Sequence, residues 1–115
     1  MNIQEFSVRT RTRTEFLDIT DSVSKIVQES KVQNGLAVVF VPHTTAAVTI
    51  NENADPNVQH DILADLNRLI PFTGPYHHTE GNSPAHIKSS LVGPSETLLI
   101  DNGRLALGTW QGVYF

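Results

Sequence analysis

Hydrophobic and polar residues follow two different periods in the first part of the chain. Residues 3–14 alternate in the manner of a strand with one exposed face. In residues 18–30 the apolar positions instead recur at helical spacing, and Thr20 or Asp21 can cap that helix. The pattern therefore predicts a strand followed by an amphipathic helix.

The next part of the chain contains a short, unbroken apolar run. Residues 36–41, LAVVFV, are rich in branched side chains, which predicts a central strand buried on both faces. Pro42 ends this run, and residues 46–50 predict the next strand. His43 belongs to the turn between the two strands.

Two helices are predicted from their start signals. Asp55 is followed by a proline, and this pair favours a helix start because aspartate caps free backbone N–H groups. Apolar residues then recur at helical spacing as far as Pro71. Ser83, also followed by a proline, predicts a second, shorter helix that ends at Gly93.

The last part of the chain predicts three strands, at residues 96–100, 104–108 and 109–115. A tight hairpin turn at residues 101–103 joins the first two, since Asn-Gly is a typical two-residue hairpin signal. The order β-α-β-β-α-α-β-β-β indicates an α+β domain with helices packed on a mixed, mostly antiparallel sheet. A chain of 115 residues fits one such domain.

The amino-acid composition limits which ligands and partners the protein can bind. The sequence has no cysteine, so any transition metal must be held by nitrogen and oxygen ligands. A net charge of -4 is too mild to predict nucleic-acid binding, and the alternation of Arg9, Arg11 and Arg13 is best explained as a solvated strand face. No window resembles a signal peptide or a membrane span, so we expect a cytoplasmic protein.

Three histidines are concentrated in one turn-rich stretch. His77 and His78 lie in a loop that contains glycine and asparagine, and His86 lies at the start of the following helix. Such a loop can bring an imidazole to a metal held by other elements. The alternative is that these side chains are simply solvent-exposed, because no fixed-spacing motif relates them.

Among the acidic residues, Glu52 is the candidate for chemistry. Asp55 is explained as a helix cap, and Asp61 and Asp65 are most simply solvated charges on one helix face. His43 and Glu52 lie at opposite ends of one predicted strand, so spacing alone does not pair them.

The stretch GNSPAHIKSS combines a helix start with Lys88, Ser89 and Ser90, which could together hold a phosphate. The alternative is that Ser83 merely caps the helix and that Lys88 points to solvent. Near the end of the chain, Trp110 and Gln111 follow a glycine and offer a flat surface to a ligand, although a strand tryptophan is more often core or subunit interface.

Four segments together resemble the YjbQ-like family, also described as secondary thiamine-phosphate synthases. They are HTTAAVTINENADPNVQHD, YHHTEGNSPAHIKSSLVGPS, NGRLALG and GTWQGVYF, and they span nearly the whole chain. The resemblance implies one YjbQ-like domain over residues 1–115, an α+β fold that assembles as a homotrimer or hexamer, and thiamine phosphate synthase activity. Family members continue past GTWQG into a segment resembling E-x-D-G-P-R and a last strand, and this sequence stops before that segment.

The resemblance also implies a set of functional residues. The metal ligands are expected to be His43, His77 and His86, with His78 as the substitute for His77, and the metal to be a divalent ion, zinc or magnesium. Catalytic roles are expected for Glu52, His86 and Lys88, and cofactor-binding roles for Asn82, Ser89, Trp110 and Gln111.

The implied reaction joins a hydroxymethylpyrimidine pyrophosphate to a thiazole phosphate, so the expected partner is a phosphorylated small molecule rather than nucleic acid or membrane. Two alternatives stay open. One is a metal-dependent hydrolase, and the other is a non-catalytic oligomer that binds metal.

Overall fold

Three helices and five strands form the part of the chain that the computed structural model describes, residues 2–115. In order they are α1 (Thr20–Ser30), β1 (Gly35–Phe40), β2 (Thr49–Glu52), α2 (Pro56–Leu69), α3 (Ser83–Val92), β3 (Ser95–Asp101), β4 (Arg104–Leu105) and β5 (Gln111–Tyr114). One sheet has the order β1-β3-β4 and a second pairs β2 with β5, and every pairing is antiparallel. The α+β prediction is confirmed.

A single core joins the two sheets to α1. Its buried residues are Ile19, Val23, Val41, Val48, Leu98 and Val113. Val48 and Val113 are fully buried, and the backbone N–H of Val48 donates to the carbonyl of Gly93 at 3.1 Å. Burial of branched side chains from both sheets fixes how the sheets lie against each other. Each helix within residues 2–115 is too short or too polar to cross a membrane.

The turn of the β3–β4 hairpin forms where the sequence predicts it, but the strand predicted at residues 104–108 extends only over Arg104–Leu105. Asn102 and Gly103 have φ values of 50° and 78°, which are the positive values that a two-residue hairpin turn requires. Asn-Gly is suited to this turn because both residues tolerate the left-handed region. The register that follows pairs Ile100 with Leu105.

The helix starts differ in how they are capped. Asp55 caps α2 as predicted, since its carboxylate accepts from the backbone N–H of Asn57 at 2.9 Å. The prediction for α1 is wrong, because Thr20 is already helical and its backbone N–H donates to the carboxylate of Asp18 at 2.9 Å. The Thr20 hydroxyl instead accepts from the N–H of Val113 at 2.9 Å, which ties α1 to β5.

Residues 3–14 do not form the predicted strand. The first backbone pairing is between Leu17 and Phe115, which exchange two N–H···O bonds of 2.9 Å. Earlier residues have the alternation of a strand but no neighbouring strand within the described chain to pair with. A local turn forms instead, in which the Glu15 carboxylate accepts from the backbone of Thr12 at 2.9 Å.

The strand predicted at residues 36–41 forms as β1, but it is neither central nor buried on both faces. It lies at the edge of its sheet and pairs only with β3. Leu36, Val38 and Phe40 are between 63% and 65% exposed. The alternate residues of β1 pack on the core, so an unbroken apolar run here gives one buried and one uncovered face.

Candidate functional site

The loop after α2 and the start of α3 line a shallow, open depression, here called the histidine pocket. Its lining residues are Pro75, Tyr76, His77, His78, Ser83, His86 and Ile87, and its volume is about 410 Å³. The His78 and His86 rings meet edge to face, with centroids 5.3 Å apart and planes at 89°. The loop is held in place by Tyr76, whose hydroxyl donates to the carbonyl of Pro71 at 2.5 Å.

The histidine pocket contains little fixed charge. His78 Nε2 lies 3.9 Å from a carboxylate oxygen of Glu80, and the two side chains are 41% and 74% exposed. A contact this long and this exposed contributes little to stability. The pocket therefore offers imidazole nitrogens and an apolar wall rather than a strong charge.

A second, larger concavity of about 1000 Å³ lies beside the histidine pocket and is here called the groove. Its walls are formed by residues within 8–16, residues within 43–49, and residues of α2 and α3. His43 lies on the groove wall and is exposed. Its side chain does not line the histidine pocket.

The helix α3 separates the two concavities. His86 lies on the face of α3 that lines the histidine pocket, and Lys88 lies on the face that lines the groove. Residues two apart on a helix point about 200° apart, so these side chains cannot share one cavity. The structure thus brings His77, His78 and His86 to one pocket, whereas His43 lines the groove.

This placement bears directly on the expected metal site. Among residues 2–115, no three or more histidine, aspartate and glutamate side chains are grouped so that they could hold a metal ion. His43, His77 and His86 are therefore not assembled as a ligand set within one chain. Within one chain this donor set does not fit a zinc or magnesium ion.

Lys88 is the best-placed cation of the groove. Its ammonium donates to the side-chain oxygen of Asn67 at 2.5 Å and keeps further N–H donors free. Burial lowers the pKa of Lys88 from its usual range, because desolvation disfavours the charged form. A partly desolvated ammonium binds an anion more strongly than one in water does.

Asn82 and Ser89, which also line the groove, differ in whether their side chains are hydrogen-bonded. The Asn82 side-chain oxygen is buried without a hydrogen-bond partner, and this residue does not cap α3 with its side chain. The Ser89 hydroxyl lies 2.6 Å from the carbonyl of Thr44 and 3.0 Å from that of His86. Because those carbonyls engage its proton, Ser89 has no donor left for a phosphate in this arrangement.

Glu52 lines neither of these two cavities. Its carboxylate accepts from the backbone N–H of Asp55 at 3.2 Å, and its carbonyl accepts from Gln59 at 2.7 Å and from the Tyr114 hydroxyl at 3.3 Å. These contacts join the end of β2 to the start of α2. In this structure Glu52 is positioned to stabilise that junction.

Trp110 and Gln111 also lie outside both cavities. The side-chain oxygen of Gln111 accepts from the backbone N–H of Gly108 at 2.8 Å and closes the turn before β5. The Trp110 carbonyl accepts from the N–H of Asn53 at 2.8 Å, while the side chain is 61% exposed. The last strand, predicted to start at residue 109, begins at Gln111 in the structure.

Sequence reasoning missed several groove residues. Arg13 lines the groove, and its guanidinium carbon lies 3.5 Å from the ring centroid of Phe72. Tyr114 lines it as well, and burial raises the pKa of its phenol. The alternation of arginines at residues 9–13 drew attention to Arg13, but the period of a strand does not predict which arginine contacts an aromatic ring.

Comparison with protein families gives one match over most of the chain. The family model described as UPF0047 protein YjbQ-like matches residues 4–115. A UPF0047 protein of Methanocaldococcus jannaschii is 54% identical over 111 residues, covering 96% of this chain and 80% of that protein. The UPF0047 protein YugU of Bacillus subtilis is 46% identical over 114 residues, covering 98% of this chain and 86% of that protein.

Solved structures are similar throughout the fold. An uncharacterized conserved protein of the yjbq/upf0047 family from Clostridium acetobutylicum is 57% identical with a TM-score of 0.96, covering 98% of this chain and 88% of that one. A protein of unknown function from Sulfolobus solfataricus, described as YbjQ-like, is 32% identical with a TM-score of 0.89, covering 93% of this chain and 78% of that one.

Proposed function

Because the chain belongs to the UPF0047 protein YjbQ-like family, we propose that it is a transferase of the thiamine phosphate synthase type. In this proposal the groove binds a phosphorylated substrate, and Lys88 holds its phosphate. The reaction joins a hydroxymethylpyrimidine pyrophosphate to a thiazole phosphate and releases pyrophosphate.

The observation that carries the proposal is the position of Lys88. Its ammonium lies on the wall of a groove of about 1000 Å³, where burial lowers its pKa and Asn67 orients it. That volume lies at the upper end of small-molecule sites, which run to about 1000 Å³. A groove of this size has room for both components of a condensation.

In this reaction the main task of the protein is to stabilise the negative charge of the leaving pyrophosphate. As the bond between the pyrimidine methylene carbon and its pyrophosphate oxygen breaks, the thiazole nitrogen forms a new bond to that carbon. The electron pair of the broken bond leaves with pyrophosphate, whose negative charge rises in the transition state. A fixed ammonium at that oxygen lowers the barrier without having to reorganise.

The test is a thiamine phosphate synthase assay together with calorimetric measurement of pyrophosphate binding. We expect Lys88→Met to weaken pyrophosphate binding about ten-fold or more, because a hydrogen bond to a charged group is lost. Lys25→Met is the matched control, since Lys25 is 77% exposed on α1, away from the groove. Equal binding by both variants contradicts the proposal.

The same assay separates the alternatives. A hydrolase would release phosphate from the pyrophosphate substrate without any thiazole acceptor. A non-catalytic protein would turn over neither substrate pair. Product that appears only when both substrates are present supports the transferase.

We also propose that the protein is a homotrimer assembled through the uncovered face of the β1–β3 sheet. Leu36 pairs directly with Leu99 across the strands, and both are more than 60% exposed, as are Val38 and Phe40. A contiguous apolar surface of this kind is typical of a protein–protein contact.

Light scattering after size exclusion tests the assembly. Val38→Glu places a charge in the centre of this face, so we expect it to release monomers. Leu69→Glu is the control, because Leu69 is 63% exposed at the end of α2, outside this face. A wild-type protein that is monomeric at all concentrations contradicts the trimer.

A further inference from the structure

Two basic side chains, Lys88 and Arg13, line the groove from different parts of the chain. Lys88 belongs to α3, whereas Arg13 belongs to the wall formed by residues within 8–16. Two cations on different walls of one groove supply separate positive charges to a ligand that carries more than one anionic group. Three sets of contacts position Arg13 for this role.

The wall segment that carries Arg13 is packed on the protein at both ends. Val8 packs against the hydrophobic core. At the other end, the Phe16 and Tyr114 rings pack with centroids 5.5 Å apart. Apolar contacts at both ends hold the residues between them against the groove.

A local turn then directs Arg13 into the groove. The Glu15 carboxylate accepts from the backbone N–H of Arg11 and from that of Thr12 at 2.9 Å, and these two donors offset its negative charge. Strand alternation would place positions 9, 11 and 13 on one side of the segment. Arg9 and Arg11 do not line the groove, but Arg13 does, because residues 12–14 bend.

Phe72 supports the guanidinium of Arg13. The guanidinium carbon lies 3.5 Å from the centroid of the ring, which is the separation of two stacked flat groups. The N–H donors of a guanidinium lie in its plane, so a contact through its face does not use them. The stacked group therefore presents a planar fork of donors, which matches two oxygens of a phosphate.

The surroundings of Arg13 suit a ligand with an aromatic ring. Phe16, Phe72 and Tyr114 line the groove together with it. Aromatic side chains beside a small number of polar groups are typical of small-molecule sites. A phosphate monoester of a heteroaromatic compound would contact the guanidinium with its phosphate and the aromatic wall with its ring.

We propose that Arg13 is a second anion-binding residue of the groove, and that it holds the phosphate of the thiazole component while Lys88 holds the pyrophosphate. Two anion sites in one groove let both components bind at once, as their direct condensation requires. The assignment of the two groups rests on the proposed function. The anion site at Arg13 does not depend on it.

Nuclear magnetic resonance tests the anion site without an assay of activity. Titration of the wild-type protein with inorganic phosphate should shift the Nε–H signal of Arg13, which is identified by its loss in Arg13→Gln. The signals of Arg9 and Arg11 are the matched controls, because these arginines lie in the same segment but do not line the groove. The site is overturned if the Arg13 signal shifts no more than theirs.

Lys88→Met separates the two anion sites. The phosphate-dependent shift of the Arg13 signal should persist in this variant, because the two cations hold different groups. If the shift disappears, one anion is shared by both residues and the proposal of two sites is wrong.

The condensation assay tests the assignment of the two groups. Arg13→Gln should raise the KM for thiazole phosphate about ten-fold or more, since a hydrogen bond to a charged group is lost, and should leave the KM for the pyrimidine pyrophosphate unchanged. Arg9→Gln removes the same charge outside the groove and should change neither KM.

Two outcomes of this assay separate the present inference from the proposed function. An unchanged KM for thiazole phosphate in Arg13→Gln overturns the assignment of that group to Arg13. If the wild-type protein has no activity while its Arg13 signal responds to phosphate, the proposed function fails and the anion site stands.

Discussion

Asn53 occupies the space that a side chain at position 112 would need. A Cβ added to Gly112 would lie 2.5 Å from Nδ2 of Asn53 and 2.9 Å from its Cβ and Cγ. Asn51 pairs with Gly112 across the β2–β5 sheet, so the segments INEN and GTWQG are neighbours in space. Two of the motifs that identify the family therefore support each other structurally at this junction.

Gly112→Ala should destabilise the protein by about 1–3 kcal/mol, because the added methyl forces Asn53 and its backbone to move. Urea unfolding measures the loss. The double variant Asn53→Ala with Gly112→Ala should regain part of it, since the smaller side chain leaves room. An unchanged stability of Gly112→Ala would show that Asn53 moves aside freely.

Asp55→Ala should cost about 0.5–2 kcal/mol of unfolding free energy, because the start of α2 loses its side-chain acceptor for the Asn57 N–H. Ser83→Ala is the matched comparison at α3, whose start has no side-chain cap. We expect its effect to stay below about 0.5 kcal/mol in the same thermal or urea unfolding series. Equal losses in the two variants would contradict this difference.

In the proposed function, in which Lys88 holds a phosphate, the pKa of Lys88 sets the alkaline limit of anion binding. Burial lowers this pKa, so the ammonium loses its charge at a lower pH than a free lysine does, whose pKa is about 10.4. Pyrophosphate affinity should therefore fall as pH rises through the lowered value. Lys88→Arg stays charged, so isothermal titration of this variant should show a weaker fall. The idea fails if both proteins lose affinity in parallel.

Tyr114 should make stability sensitive to strongly alkaline pH. Burial raises the pKa of its phenol, so the folded state retains the proton at a pH where the unfolded chain has lost it. The resulting stabilisation is fully present below the unfolded pKa of about 10 and is lost as pH rises through the raised value.

Tyr114→Phe removes this titration, along with the hydroxyl that accepts from Gln59 at 2.6 Å. The variant should be less stable at neutral pH, and its stability should decline less steeply above about pH 10. Urea unfolding at several pH values measures both effects. Parallel pH profiles of the two proteins would exclude the phenol as the cause.

The amino-acid sequence by itself determined the elements whose signals are local. Asp55 with its following proline starts α2, and Asn102-Gly103 closes the β3–β4 hairpin, because a cap or a turn needs only residues a few positions apart. Gly93 likewise marked the end of α3. The order of the predicted helices and strands was enough to predict the α+β class. The histidines of the pocket were likewise drawn together by one short loop and the helix that follows it.

Only the tertiary structure decided which faces are covered and which side chains meet. Residues 3–14 have strand alternation but no partner strand, and β1 is apolar on a face that nothing in the described chain covers. His43 lines the same groove as Lys88 and does not line the pocket of His86, because α3 turns its two faces toward different cavities. Period and spacing describe one element at a time, whereas pairing and cavity formation depend on contacts between residues far apart in the chain.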